Sequence, residues 1–202
     1  EPLAAALGAN LDIEGPKGRM IVDIGGGTTD VAVVSMNGVA ISSSINVAGL
    51  AFDDAIARYI RRKHGGIIGQ NTAEDIKIQI GSVYPRQEDI AMIAKGRDAK
   101  NGTPREIEIL SSEIYQVLSR PARMIADEVL SVMEDTSPEL VGDIAANGIT
   151  LTGGASQVWG MDLLLSERTG IKCVIADDPE SCVAFGCGKS LGWINHMNEG
   201  PI

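Results

Sequence analysis

Apolar and polar positions alternate, or run as short apolar stretches, through the first fifty residues, and a helical rhythm then takes over. Met20–Asp23 and Asp30–Ser35 are β-branched, apolar segments, Asn37-Gly38 is a hairpin-turn pair, and Val39–Val47 resumes the alternation. Period-two patterning around such a turn predicts a β-meander of three strands. Ahead of it, PLAAALGA at 2–9 begins with proline and reaches Gly8, the mark of a short helix that runs into a loop. After Gly49, the residues Ala51, Ala55, Ile56, Tyr59 and Ile60 share one helical face, with Arg58, Arg61, Arg62 and Lys63 elsewhere. A second helix is predicted over 72–80, capped by Thr72 and stopped by Gly81.

The pattern then predicts two strands, at 90–96 and 105–110, with RDAKNGTP between them. Ser111 or Ser112 is expected to cap a long helix whose apolar stripe is Ile114, Val117, Leu118, Ile125, Val129, Val132 and Met133, with a kink allowed at Pro121. A helix at 138–147, a strand at 148–152, a helix at 161–168, a strand at 173–175 and a closing helix at 179–195 complete the chain. This order predicts an α/β fold in which a mixed sheet flanked by helices forms from both ends of the chain. Residues 1–49 and 111–202 make the core subdomain, and 50–110 form an inserted, smaller α+β subdomain.

Composition narrows the function. The 202 residues are 44% hydrophobic and 22% charged, as in a globular protein, and no apolar run approaches the roughly 18 residues that a membrane span requires. The net charge of -10, without a basic stripe, argues against nucleic acid or anionic lipid as a partner. Cys173, Cys182 and Cys187 are odd in number and lack metal-ligand spacing, so they read as buried thiols in a reducing cytoplasm. His64 and His196 stand apart from other ligand types and are expected at the surface. The chain opens at Glu1 without methionine, as expected of a piece of something longer.

The candidate chemistry lies in MIVDIGGGTTDVAVVS, residues 20–35. Glycines after a strand suit three phosphate-binding devices. In dinucleotide folds and P-loops they open a helix, but here Asp30–Ser35 reads as another strand, and Asp30 holds the place of the third glycine. What remains is a β-hairpin whose tight turn aims successive N–H groups at an anion; a plain hairpin turn or glycine bulge is the alternative. Asp23 would face the phosphates, with Mg²⁺ and its water between them. A second pair, Gly153-Gly154 in LTGGAS, also follows a strand, and two such turns imply one nucleotide between them. Gly188-Lys189-Ser190 imitates a P-loop ending but has Val183 five positions before Gly188, so Lys189 is expected to be a surface lysine.

The order Glu1-Pro2-LAAALG, DIGGGTTD, AEDIK at 73–77 and LTGGAS resembles the actin, sugar-kinase and heat-shock-chaperone superfamily, whose ATPase fold is ribonuclease H-like. NVAGLAFDDAIARYIRRKHGGIIGQNTAEDIKIQIGS, SPELVGDIAANGITLTGG and DDPESCVAFGCGKSL narrow the resemblance to the MreB/Mbl rod-shape-determining actins of bacteria, over the second half of that family's chain. The resemblance implies ATP and Mg²⁺ as cofactors. It implies Glu1 as the group that orients or deprotonates the attacking water, and Asp23 as the Mg²⁺ acid acting through water. Gly25, Gly26, Gly27 and Thr28 then form the phosphate hairpin, with Thr28 and Thr29 offering hydroxyls near that water.

Glu74 and Lys77, three apart on a helix, are a surface ion pair on their spacing alone, and the resemblance puts them at ribose and base. Gly153, Gly154, Ala155 and Ser156 match the adenosine turn. Ala48-Gly49-Leu50 and Ala155 depart from the family's Gly-Gly-Asp and third glycine. Trp159 is expected to pack beneath the loop.

The implied function is a cytoskeletal ATPase that self-assembles into filaments at the inner face of the cell membrane. Its partners would be membrane adaptors and the cell-wall elongation machinery. Because the first phosphate hairpin is not among these residues, this half alone is expected to be a poor ATPase. A sugar-kinase-like phosphotransferase and a non-catalytic interaction module of the same fold are the alternatives.

Overall fold

The computed structural model describes the backbone of residues 1–198 and the side chains through Leu191, so the expectation for His196 lies outside the described side chains. The chain runs α1 (Pro2–Gly8), β1 (Arg19–Ile24), β2 (Thr29–Ser35), β3 (Gly38–Ile45), α2 (Gly49–His64), β4 (Gly66–Ile67) and α3 (Gln70–Ile80). It continues through β5 (Ala91–Asp98), β6 (Pro104–Leu110), α4 (Ser111–Glu134), α5 (Pro138–Asn147) and β7 (Ile149–Thr152). A 3-10 turn (Gly154–Gln157), α6 (Met161–Thr169), β8 (Cys173–Ile175) and α7 (Cys182–Asn198) close it. Strands order β3-β2-β1-β7-β8 in one sheet and β4-β5-β6 in another. The first sheet is mixed: β1 is antiparallel to β2, β2 is antiparallel to β3, and β7 is parallel to both β1 and β8.

The alternation in β1 and β2 sorts their side chains between two layers of helices. Met20, Val22, Ile24, Val31 and Val33 join Phe52, Ile56, Ile114, Leu118 and Ile125 of α2 and α4 in one apolar cluster. Ile21, Ala32 and Val34 turn the other way, onto Ala5, Ala6 and Leu7 of α1. Burial on both faces is why these strands read as nearly continuous apolar runs. The same large cluster takes in Ile107 and Ile109 of β6. The segment carrying β4, β5 and β6 therefore has its own sheet but shares a core with the rest.

Several boundaries differ from the sequence reading. The β2–β3 hairpin turns at Met36 (φ 51°) and Asn37 (φ 59°), one residue ahead of the expected pair, with Gly38 already paired to Ser35. Helix α3 begins at Gln70 behind Gly69, so Thr72 is not its cap. The start of α4 is held by Asp89, which accepts from Ser111 Oγ (2.7 Å), Ser112 N (2.8 Å) and Ser112 Oγ (2.6 Å), and these bonds hold its carboxyl below the usual range. Strand β4, only two residues long, gave no periodic signal, and α7 starts three residues later than expected, after the turn at 179–181.

Trp159 is 38% exposed rather than packed beneath a loop; the Arg86 guanidinium covers its ring at 4.5 Å. Lys189 is exposed, as expected, yet it is not idle. Its Nζ donates to Leu7 O (2.8 Å) and Asn10 Oδ1 (2.6 Å), closing the end of α1.

Helices α1 and α7 cross with almost no side chain between them. A Cβ at Gly8 would lie 1.7 Å from Cys182 O, and one at Gly186 would lie 1.7 Å from Ala4 O. Substituting Gly8→Ala is expected to cost about 2 kcal/mol or more, because rigid backbone has to move. Gly188→Ala on α7 meets no described atom within 4 Å and should be neutral or stabilising by up to about 1 kcal/mol. Chemical denaturation of the two variants checks this, and equal midpoints would contradict the close crossing.

Candidate functional site

Because β1 and β7 are parallel neighbours with Asp23 opposite Thr152, the two glycine turns that follow them emerge at the same end of the sheet. They face one cleft of about 400 Å³, whose walls include Gly25, Gly26, Gly49, Leu50, Gly154 and Ala155. This is where an open sheet with strands ending side by side offers a ligand site.

The glycines of the two turns serve different purposes. In the first turn, Gly25 N donates to Thr28 O (3.0 Å), and the carbonyls of Gly25 and Gly26 accept from Gly49 N (3.1 Å) and Leu50 N (2.8 Å) at the start of α2. The carbonyls are thereby turned inward, and among the described residues the amides of Gly26, Gly27 and Thr28 have no protein acceptor. Among the described residues a Cβ at Gly26 or Gly27 would meet nothing within 4 Å, and neither residue has positive φ. Packing against the described residues does not require glycine there, and bare amides in a turn are what an anion-binding concavity uses. In the second turn the protein itself sets the requirement. Gly153 has φ 81°, and a Cβ would meet Ile24 O at 2.3 Å and Asp23 Oδ1 at 2.6 Å.

Two hydroxyls of the expected site are committed to structure. Thr29, fully buried, donates to Val47 O at 2.7 Å, which fixes the exit from β3 rather than facing a water in the cleft. Ser156, also buried, donates to Gly153 O at 2.6 Å and braces the second turn. Thr28 stays half-buried, with its Oγ1 3.0 Å from Asp30 Oδ2. Ala155 is buried against the cleft floor, 3.5 Å from where a Cβ on Gly49 would stand.

Asp23 closes β1 and is 6% exposed, with Oδ1 accepting from Thr152 Oγ1 at 3.1 Å. Burial raises its pKa above the usual carboxylate value, and the charges of Glu1 and Asp30 push it further in the same direction. Glu1 itself is exposed, immediately before α1. A buried carboxylate among like charges suits a hard cation. Among the described residues no three potential ligands converge on one point.

The wall opposite the second turn is α3. Lys77 there is buried, and its Nζ lies 3.0 Å from Asp53 Oδ1 and 3.1 Å from Asp53 Oδ2, whereas Glu74 Oε1 is 3.9 Å away. The chief partner of Lys77 is therefore Asp53, not the Glu74 suggested by helix spacing. Asp53 sits on the buried face of α2 between Phe52 and Ile56, and an acid in that apolar stripe was the signal that sequence reasoning missed. Burial raises the Asp53 carboxyl even though Lys77 pulls it down.

Removing one partner leaves the other charge buried and alone, so Lys77→Met is expected to cost about 3 kcal/mol near pH 8. Without the lysine the Asp53 carboxyl rises further than burial already lifts it in the parent, so the penalty is larger at pH 8, where the lone carboxylate is ionised, than at pH 5. Urea titrations at the two pH values test this, with Lys77→Met/Asp53→Asn recovering most of the loss. A penalty independent of pH would contradict the buried pair.

Comparison with known proteins agrees with this geometry. The protein-family profile described as MreB/Mbl protein matches residues 1–199. The chain is 47% identical over 202 residues to the cell shape-determining protein MreB of Escherichia coli strain K12, covering all of this chain and 58% of that protein. It is 44% identical over 193 residues to the cell shape-determining protein Mbl of Bacillus subtilis strain 168, covering 95% of this chain and 57% of that one.

Among solved structures, MreB5 of Spiroplasma citri bound to AMPPNP superposes with a TM-score of 0.94 at 41% identity, covering 100% of this chain and 60% of that one. The MamK double helical filament shares the fold alone, with a TM-score of 0.78 at 20% identity, covering 95% of this chain and 58% of that one. The chain thus spans somewhat over half the length of these relatives. With its mixed sheet, its paired glycine turns and a profile match along nearly its whole length, the chain belongs to the MreB/Mbl family of actin-like proteins.

Proposed function

We propose that this chain forms one wall of an ATP-binding cleft in a longer actin-like protein, which assembles into filaments and sets rod shape by organising cell-wall synthesis. The observation that carries the reading is the pair of glycine turns at the ends of adjacent parallel strands, with unpaired amides on the first of them. A relative 41% identical is known bound to AMPPNP, and its ADP-bound form superposes with a TM-score of 0.95. Gly26, Gly27 and Thr28 amides would hold the terminal phosphates, Gly153, Gly154 and Ala155 the adenosine side, and Lys77 with Glu74 the sugar and base.

Mg²⁺, when bound near Asp23, would neutralise phosphate charge. Glu1 would orient the attacking water, since phosphoryl transfer depends chiefly on positioning and charge. The acid-rich wall makes a complementary cationic or amide surface from the rest of the protein necessary, so the isolated half is proposed to be a poor ATPase. The division into a core (1–49 and 111–202) and an inserted subdomain (50–110) belongs to the same reading, with the core and its insert together supplying one face of the longitudinal filament contact. Among the described residues no helix is long and apolar enough to cross a membrane. Attachment of filaments to the cytoplasmic face of the membrane would therefore use adaptor proteins or segments beyond these residues.

In the full-length protein, Gly26→Val is expected to reduce nucleotide affinity about a hundredfold, the scale of losing one preorganised anion donor set. ATP-dependent pelleting should be lost with it, while the melting temperature stays near that of the parent, because among the described residues no atom lies within 4 Å of the added Cβ. Glu1→Gln should instead keep assembly and abolish phosphate release. Unchanged pelleting and nucleotide binding in Gly26→Val would overturn the reading.

A further inference from the structure

Two polar side chains on the cleft wall have no part in holding phosphates. Gln157 ends the 3-10 turn and Glu180 precedes α7, and both line the cleft. Gln157 Nε2 donates to Glu180 Oε1 at 2.9 Å. The backbone holds the pair in place: Gly153 N donates to Pro179 O at 2.8 Å, so the segment carrying Glu180 is tied to the second glycine turn. The absence of a side chain at Gly154 leaves room for Glu180, whose Cγ would stand 3.4 Å from a Cβ there. Across the same cleft, Ile78 and Val158 supply apolar surface. Apolar walls with a few fixed polar groups are what a planar heteroaromatic ring requires.

Resting on the nucleotide reading above, we propose that Gln157 and Glu180 read the exocyclic amino group of a purine, so that the cleft selects an amino-purine nucleotide over its hypoxanthine counterpart. The donor and acceptor inventory sets the direction. Gln157 uses one N–H on Glu180 and keeps one N–H and its carbonyl oxygen, while Glu180 retains a free, charged oxygen. The pair thus presents mostly acceptors. An exocyclic amine offers only N–H donors and is matched. Hypoxanthine carries a carbonyl in place of the adenine amine, and a carboxylate facing it is left unpaired and repelled, a mismatch that binding sites convert into discrimination.

The test is competition of ATP and ITP for the full-length protein, measured by displacement of a fluorescent ATP analogue, together with Glu180→Leu and Glu180→Gln. Both side chains are exposed, so neither variant should alter the melting temperature, which is measured alongside. The parent is expected to prefer ATP about tenfold or more, the scale of one charged hydrogen bond. Glu180→Leu should bring the ratio close to unity by weakening ATP alone. Glu180→Gln, able to turn an amide donor toward a carbonyl, should improve ITP. Equal affinities in the parent, or a preference untouched by both substitutions, would overturn the proposal while leaving nucleotide binding intact. Failure of the parent to bind either nucleotide would overturn the functional reading itself and this proposal with it.

Discussion

The site depends on two backbone hydrogen bonds, Gly49 N to Gly25 O and Leu50 N to Gly26 O, at 3.1 and 2.8 Å. Helix α2 has no side-chain cap at its start, so its first amides would otherwise go without partners. The hairpin carbonyls fill that need. The exchange fixes the turn's orientation, because a peptide whose carbonyl points toward α2 must point its amide the other way. Two structural requirements and a binding surface are met by the same pair of bonds, each of which contributes about 1 kcal/mol. Position 49 tolerates no side chain easily, since a Cβ would press on Lys77 Nζ at 3.3 Å and Gly25 O at 3.4 Å.

The same contact joins the hairpin to the inserted block. Helix α2 carries Asp53 four residues beyond Gly49, Asp53 grips Lys77 on α3, and α3 walls the cleft. The far end of α2, at Lys63 and His64, meets Glu113 of α4 at 3.1 and 3.3 Å, so hydrogen bonds and packing run unbroken from the hairpin to α4. The cleft wall is predominantly acidic. Asp53, Glu74 and Glu180 line the cleft with Lys77 as the cation, and that cation is already held by Asp53.

Much of this was legible in the sequence because period and punctuation agreed. The meander, the long amphipathic α4 and the two glycine turns all followed from alternation, helical spacing and glycine placement, and the turns meet because β1 and β7 pair in parallel. Four features escaped for physical reasons. A two-residue strand such as β4 has no period to detect. The commitment of Thr29 and Ser156 to backbone carbonyls depends on atoms distant in sequence or on a turn's φ, and neither shows in residue type. The partner of Lys77 lay on another helix, whereas spacing within one helix can suggest only Glu74. Trp159 was misjudged because its cover, Arg86, belongs to a separate loop.

The central claim, that backbone amides at 26–28 are held outward to grip a nucleotide, is tested most directly by residue-resolved amide hydrogen exchange of the full-length protein with and without ATP and Mg²⁺. The account predicts rapid exchange at Gly26, Gly27 and Thr28 without nucleotide and strong protection at these positions and at Gly154 with it, while Gly49 and Leu50 stay protected throughout. Protection appearing elsewhere on binding, with those turn amides still exchanging freely, would contradict it.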